Sequence, residues 1–226
     1  MVSSQTDPFQ PGPEQLPAEI AVFPLSGALL LPGGKLPLNI FEPRYLAMTL
    51  DSLAHGRMLG MVQGDPSKPR GERGSSIYQV GCLGRLSSFS ETEDGRLLIT
   101  LSGITRFRVV EELAPRRGYR RVRVDYAPFA GDFEPPVAED VPRDAMLDAL
   151  RPYFAAKGID ANWDAIQEMG GPALVTTLAM VCPFGVPEKQ ALLEAPTLAD
   201  RAQSLVALLR IAAHGDGELP PGGRPS

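Results

Sequence analysis

Two short apolar runs, 21–25 and 36–40, flank a Pro32-Gly33-Gly34 break, and this pairing constrains the fold more than any other stretch of the chain. Runs of that length bounded by Pro and Gly read as strands, here joined by a tight connection. Glu42-Pro43-Arg44 follows at once and opens a helix over 43–55. Proline is favoured at a first helical position because its missing N–H would have no partner there anyway. Strand, turn, strand and helix within 26 residues leave little room for an all-helical or disordered start.

The strand-like character continues to about position 129. Segments 58–63, 77–90, 96–102, 105–113 and 119–129 are rich in apolar and β-branched residues. Asp94-Gly95 separates two of these runs and predicts a two-residue hairpin turn, since both residues tolerate positive φ. The Pro-rich stretch 131–142 blocks any continuation of strand or helix. Beyond it the apolar spacing becomes helical over 141–156, 171–181, 187–194 and 197–213, and Thr197 with Asp200 forms a capping pattern. The organisation expected is therefore a disordered arm over 1–18, a β-rich subdomain over 19–130, a linker over 131–142, a helical subdomain over 143–214 and a disordered tail over 215–226. The class is α+β.

At 226 residues the chain can bury a substantial core. A net charge of -5 gives no general affinity for nucleic acid or an anionic membrane. The start is polar and Pro-rich without the apolar segment of a signal peptide, and no run approaches the ~20 apolar residues of a membrane helix. Cys82 and Cys182, a hundred positions apart, read as buried structural thiols of a cytoplasmic protein.

Several motifs in series resemble one family. The stretch V-F-P-L, a Pro-Gly loop, then L-P-L-N-I-F-E-P-R-Y is similar to the start of the LON substrate-binding domain, the amino-terminal domain of Lon proteases. Val80-Gly81-Cys82-Leu83-Gly84, Glu93-Asp94-Gly95-Arg96 and Gly103-Ile104-Thr105-Arg106-Phe107 resemble its later strands. Lys189 to Glu194, followed by Leu198-Ala199-Asp200-Arg201, resembles its helical tail. The resemblance implies a PUA-like pseudo-barrel carrying one helix, followed by a C-terminal helical bundle. It also implies a non-catalytic polypeptide-binding module involved in protein quality control.

Catalytic patterns do not emerge. Gly33-Gly34-Lys35 is a poor phosphate loop, with Leu29 in place of the first glycine and Leu36 in place of Ser or Thr. His55 and His214 each precede a glycine at the end of a helical pattern, where a cationic side chain meets the helix dipole. The His, Cys and carboxylate residues show no metal-ligand spacing, so neither metal nor cofactor is expected. The ATPase and Ser–Lys protease domains of Lon have no counterpart here.

Candidate binding residues fall into two sets. Leu29, Leu30 and Leu31 are three leucines before a turn, and with Phe41 and Tyr45 at the helix start they are candidates for contact with polypeptide substrates or a partner protein. The favoured alternative is structural: the three leucines complete a strand and enter the core, while Phe41 staples onto Tyr45 and Glu42 caps the helix. The second set is Arg117, Tyr119, Arg121 and Arg123, with Arg116 and Arg120 beside them. A basic strand with a tyrosine suits RNA, but charges also protect exposed strands and can pair with Glu111, Glu112 and Asp125. RNA binding is the less favoured reading, and an unrecognised hydrolase is a further alternative. Arg106 and Arg108 are expected to face outward or to pair with Glu42, with Phe107 in the core.

Overall fold

A computed structural model describes residues 11–71, 74–136 and 141–214. The expected arm over 1–10, part of the linker and the tail over 215–226 lie outside the described residues, as does the side chain of His214. Chain contacts divide the protein into two compact units, one comprising 1–135 with 179–194 and the other 136–178 with 195–226.

The first unit is built on six strands: β1 (Glu19–Pro24), β2 (Lys35–Ile40), β3 (Met58–Val62), β4 (Val80–Glu91), β5 (Leu97–Arg116) and β6 (Tyr119–Asp125). Their order is β2-β5-β4-β3-β1-β6, and β6 also pairs with β5. That second pairing closes β3, β4, β5, β6 and β1 into a barrel, with the parallel β1–β3 pair as the one departure from antiparallel order. Closure removes the free edges that an open sheet would expose. β2 stays outside the ring and hangs on the first half of β5. Helix α1 (Pro43–Ala54) follows β2 directly.

Two expectations are corrected here. β1 and β2 are not joined by a tight connection, because β1 pairs with β3 and β6 while β2 pairs with β5. The intervening segment instead crosses the sheet. The segments 96–102 and 105–113 are also one strand, because Gly103 pairs with Gly84 and the ladder resumes at Thr105 opposite Leu83 after a one-residue register shift.

Glycines decide how this barrel fills. Phe107 is fully buried opposite Gly81, and a Cβ on Gly81 or Gly60 would sit 2.5 or 2.8 Å from its ring. The absent side chains provide the volume that the ring occupies, and Ile20, Val22, Leu83, Val109 and Val122 are among the residues of the same core cluster. On a second site, the cross-strand pair Gly84–Gly103 forms a depression under the crossing segment. Leu30 lies against Gly84, and the Leu31 carbonyl lies so close to Gly103 that no β-carbon could be added. Gly33 N–H donates to the Gly103 carbonyl at 3.0 Å and Gly103 N–H to the Gly34 carbonyl at 2.8 Å.

The β4–β5 turn is three residues long, not two. The Thr92 and Arg96 backbones pair at 3.0 Å, and Gly95 N–H donates to the Thr92 carbonyl at 3.0 Å with Gly95 at φ 78°. This is a type I turn closed by a left-handed glycine. Leu97, Ile99 and Leu101 then face inward on alternate positions.

Residues 11–18, expected in the arm, are placed: Tyr126 Oη donates to the Pro17 carbonyl at 2.9 Å, and Leu16 packs on the barrel core. After β6 a 3-10 segment, Ala127–Phe133, takes up the start of the expected linker.

The remaining helices are α2 (Arg143–Lys157), α3 (Trp163–Glu168), α4 (Gly171–Val181), α5 (Val186–Glu194) and α6 (Leu198–His214). In the second unit α2 packs on α6 through buried residues that include Met146, Leu150, Leu205 and Leu209. Thr197 and Asp200 exchange hydrogen bonds at 2.7–3.2 Å and start α6 with a reciprocal cap. The short helix α3 has no counterpart in the sequence expectation; Arg143 ties its end by donating to the carbonyls of Ile166, Gln167 and Met169.

Candidate functional site

Of the candidate apolar residues, the structure keeps only Phe41 at the surface. Leu29, Leu30 and Leu31 are 2%, 1% and 0% exposed, which agrees with the core reading and removes them as candidates for a contact surface. The Gly84–Gly103 depression accepts the segment that carries them. Burying each leucine stabilises the fold by ~1.5–3 kcal/mol relative to exposure, which favours the core over the surface. Tyr45 is also buried, its ring tilted against Phe23 at 4.2 Å between ring centroids. The expected staple is absent, because Phe41 lies under the Arg96 guanidinium at 5.6 Å. Glu42 makes no cap bond and pairs with Arg44 at 2.8 Å instead.

Phe41 stands 60% exposed next to the outer face of β2, β5 and β4. That face holds a groove of about 430 Å³ lined by residues of all three strands, among them Pro37, Asn39, Ser88, Phe89, Leu98 and Thr100. Register places Asn39, Leu98 and Ser90 in one row and Pro37, Thr100 and Ser88 in the next. Directly opposed residues share a face, so Leu98 lies at the centre with small polar residues around it. Leu98 is 46% and Phe89 41% exposed. Phe89 opposes the buried Ile99 and so belongs to the other face of the sheet, which leaves Leu98 and, just past the end of β2, Phe41 as the exposed apolar residues beside this face. The sequence contained the signal for Leu98: in the strand run Leu97-Leu98-Ile99 side chains alternate, so the middle one must face away from its neighbours.

The arginine set is arranged differently from an RNA-binding strand. Tyr119 is buried and its hydroxyl donates to Asp51 at 2.8 Å, which with burial pushes its pKa up to about 12. Arg117 and Arg116 face the same Asp51 carboxylate at 2.8 and 3.5 Å. Arg121 pairs with Glu19 at 2.9 Å, Arg123 with Glu19 and Glu111 at 3.3 and 2.6 Å, and Arg120 with Glu112. The tyrosine has no face free for stacking, and the guanidinium charges are answered by carboxylates of the same unit.

Arg106 corrects another expectation. It is buried and makes a two-pronged pair with Asp132, Nε to Oδ2 at 3.0 Å and Nη2 to Oδ1 at 2.7 Å. Its Nη1 donates to the Leu193 carbonyl of α5 at 3.2 Å, and its guanidinium covers the Phe129 ring at 4.8 Å. Lys189 and Gln190 of α5 are buried as well. Lys189 Nζ donates to the Gly27 carbonyl at 2.7 Å, and Gln190 Nε2 to the Val80 carbonyl at 3.0 Å. Desolvation lowers the Lys189 pKa. These buried polar groups hold α5, the crossing segment and the barrel together.

His55 ends α1 with its Nδ1 2.8 Å from the Asp51 carbonyl, and both cysteines are buried and unbridged. No described helix is long and apolar enough to cross a membrane.

A closed mixed barrel with one appended strand and helix, followed by helices, is the architecture of Lon amino-terminal domains. The solved Lon N-terminal domain protein from Xanthomonas campestris matches with a TM-score of 0.58 at 23% identity, over 84% of this chain and 97% of that one. The N-terminal domain of Mycobacterium avium complex Lon protease matches with the same TM-score at 14% identity. The family model of the ATP-dependent protease La (LON) substrate-binding domain covers residues 19–210, and the chain belongs to that family. Among curated relatives, Lon protease of Anaeromyxobacter dehalogenans is 23% identical over 87% of this chain, and Lon protease of Flavobacterium johnsoniae is 22% identical over 88%. The chain spans 23% and 24% of the length of those two relatives.

Proposed function

We propose that this chain is a non-catalytic module that binds polypeptide, unfolded or damaged protein included, through the outer face of β2, β5 and β4. The observation that carries this reading is the exposed Leu98 in the groove together with exposed Phe41 at the end of β2, in a member of a substrate-binding family. Apolar side chains that fold with access to solvent can recognise the apolar segments that unfolded chains expose. The matched residues 19–210 correspond to the substrate-binding domain alone, so ATP hydrolysis and peptide cleavage are assigned to other domains or other proteins. Two buried, unbridged thiols suit a reducing cytoplasmic setting.

The test is surface plasmon resonance against reduced, carboxymethylated α-lactalbumin, with the native protein as control. The parent should retain the unfolded form, and Phe41→Ser with Leu98→Ser should lose most of that binding while keeping the parent's circular dichroism. Equal binding by parent and double variant would reject the surface. Casein cleavage or ATP turnover that co-purifies with the protein would reject the non-catalytic role.

A further inference from the structure

β2 is the one strand of the barrel unit that pairs on a single side among the described residues. Its partner is β5 in the register Leu36–Leu101, Pro37–Thr100, Leu38–Ile99. Pro37 has no N–H, so it occupies a pair that donates nothing to β5. Antiparallel pairs alternate, which places Leu36, Leu38 and Ile40 in the hydrogen-bonded pairs and turns the backbone groups of Lys35, Pro37 and Asn39 away from β5. The outer edge therefore offers the N–H groups of Lys35 and Asn39 and the carbonyls of Lys35, Pro37 and Asn39. No described backbone or side-chain group takes them up.

The chemistry of the neighbouring face selects among occupants. Lys35, Ser102 and Arg85 form one row across β2, β5 and β4. None of the strand residues sharing that face with Leu98 and Thr100 is acidic. A large side chain entering beside Pro37 can lie over its ring toward the groove floored by Leu98, because neighbouring strands are only ~4.8 Å apart. A side chain beside Lys35 meets positive charge. The two sites lie two residues apart along an added strand, on the same face. A second copy of this chain fits less well: in the antiparallel register that joins the most backbone groups, Pro37 opposes Pro37 and the central pair forms no bond.

Building on the polypeptide-binding reading, we propose that β2 accepts an extended segment of a foreign polypeptide as an added strand, selecting a large apolar residue separated by one position from Asp or Glu. The affinity comes from main-chain bonds to Lys35, Pro37 and Asn39, and the selectivity from the groove and the Lys35 ammonium.

The test is fluorescence anisotropy with a fluorescein-labelled peptide, Thr-Val-Thr-Phe-Thr-Glu-Thr-Val, and its Glu→Lys counterpart. The parent should prefer the Glu peptide, and Lys35→Glu should reverse that preference. Asn39→Pro removes an outward N–H without touching the β5 ladder and should weaken the Glu peptide about tenfold. N-methylation should abolish binding when it falls on alternate amides in one frame and leave it intact in the other. Binding indifferent to both frames and to Asn39→Pro would overturn strand addition. If the unfolded α-lactalbumin signal persisted in that case, the broader reading would stand; loss of both signals in the parent would sink both. A parent dimer that Asn39→Pro converts to monomer would assign the edge to a second copy and also overturn the proposal.

Discussion

Gly103→Ala is the sharpest test of how the barrel carries its appended strand. An added methyl would overlap the Leu31 carbonyl oxygen and lie 2.8 Å from its carbon and 3.3 Å from Pro32 N. The obstruction is backbone, so no side-chain rotation relieves it. If the crossing segment stays, the ladder must yield, and overpacking of this kind costs about 1–3 kcal/mol. If the segment lifts, the two hydrogen bonds between Gly103 and Gly33-Gly34 are lost at about 0.5–1.5 kcal/mol each. One of the three buried leucines coming into water adds about 1.5–3 kcal/mol. The ladder route costs about 1–3 kcal/mol and the lifting route about 2.5–6 kcal/mol. The cheaper ladder route sets the loss, which for a chain of this size lowers the melting temperature by about 2–12 °C. Gly131→Ala, which has open space around the new carbon, should stay within about 0.5 kcal/mol of the parent. Urea unfolding followed by far-ultraviolet circular dichroism compares the three proteins. Equal midpoints for Gly103→Ala and Gly131→Ala would refute the close-approach account.

Three further outcomes are expected. Arg106→Ala or Asp132→Ala should each destabilise by about 3–5 kcal/mol, because each strands its partner's buried charge, and the double variant should cost less than the sum in a urea double-mutant cycle. Gly95→Val should lose about 1–2 kcal/mol for entering the left-handed region, with Gly95→Asn milder; equal small losses in unfolding midpoint would remove the type I turn. The third is a pH dependence at Asp51, whose carboxyl is held below the ordinary range by the Tyr119 hydroxyl and then by Arg117. The stability this gives is complete above the unfolded carboxylate pKa of about 3.9 and is lost as pH falls through the lower folded value, so Asp51→Asn should flatten the acid limb of stability against pH. At the other end, the Tyr119 contribution is complete below pH ~10 and lost as pH rises toward about 12, a limb that Tyr119→Phe should remove.

Local patterns carried much of the fold to the surface of the sequence. Pro43 opens α1, Thr197 and Asp200 cap α6, and Leu97, Ile99 and Leu101 alternate inward as period two demands. Contacts between distant positions were the ones hidden. Arg106 looks like an exposed strand charge until Asp132, 26 positions away in a stretch that reads as linker, supplies its carboxylate. The same distance effect left the burial of Leu29–Leu31 without a visible receiver, since nothing near them announces that Gly84 and Gly103 meet across a ladder. Thr105, Arg106 and Phe107 are buried in succession, which breaks strand alternation. Both faces of β5 are covered there: Phe107 lies in the barrel core, and the other side meets the 3-10 segment and α5. For the proposed binding surface, Phe41 was legible as an aromatic beside a helix start, while the groove required the register of three strands.

If β2 receives an added strand as proposed, the buried charges of α5 and β5 serve that role by fixing its position. A strand that receives a polypeptide must keep its register while paired on only one side, and the ordering entropy it would otherwise lose on binding weakens affinity. β2 gains that rigidity from its lead-in segment. Lys189 donates to the Gly27 carbonyl at the start of that segment, the three leucines fill the glycine depression in its middle, and Gly33 and Gly34 hydrogen-bond to Gly103 at its end. Lys189 stands on α5, which Arg106 ties in turn to the barrel through the Leu193 carbonyl. Residues far from the groove thus set the position of Lys35, Pro37 and Asn39. Removing the ammonium with Lys189→Met should therefore loosen the segment and weaken capture of unfolded α-lactalbumin, although Lys189 itself never meets the ligand.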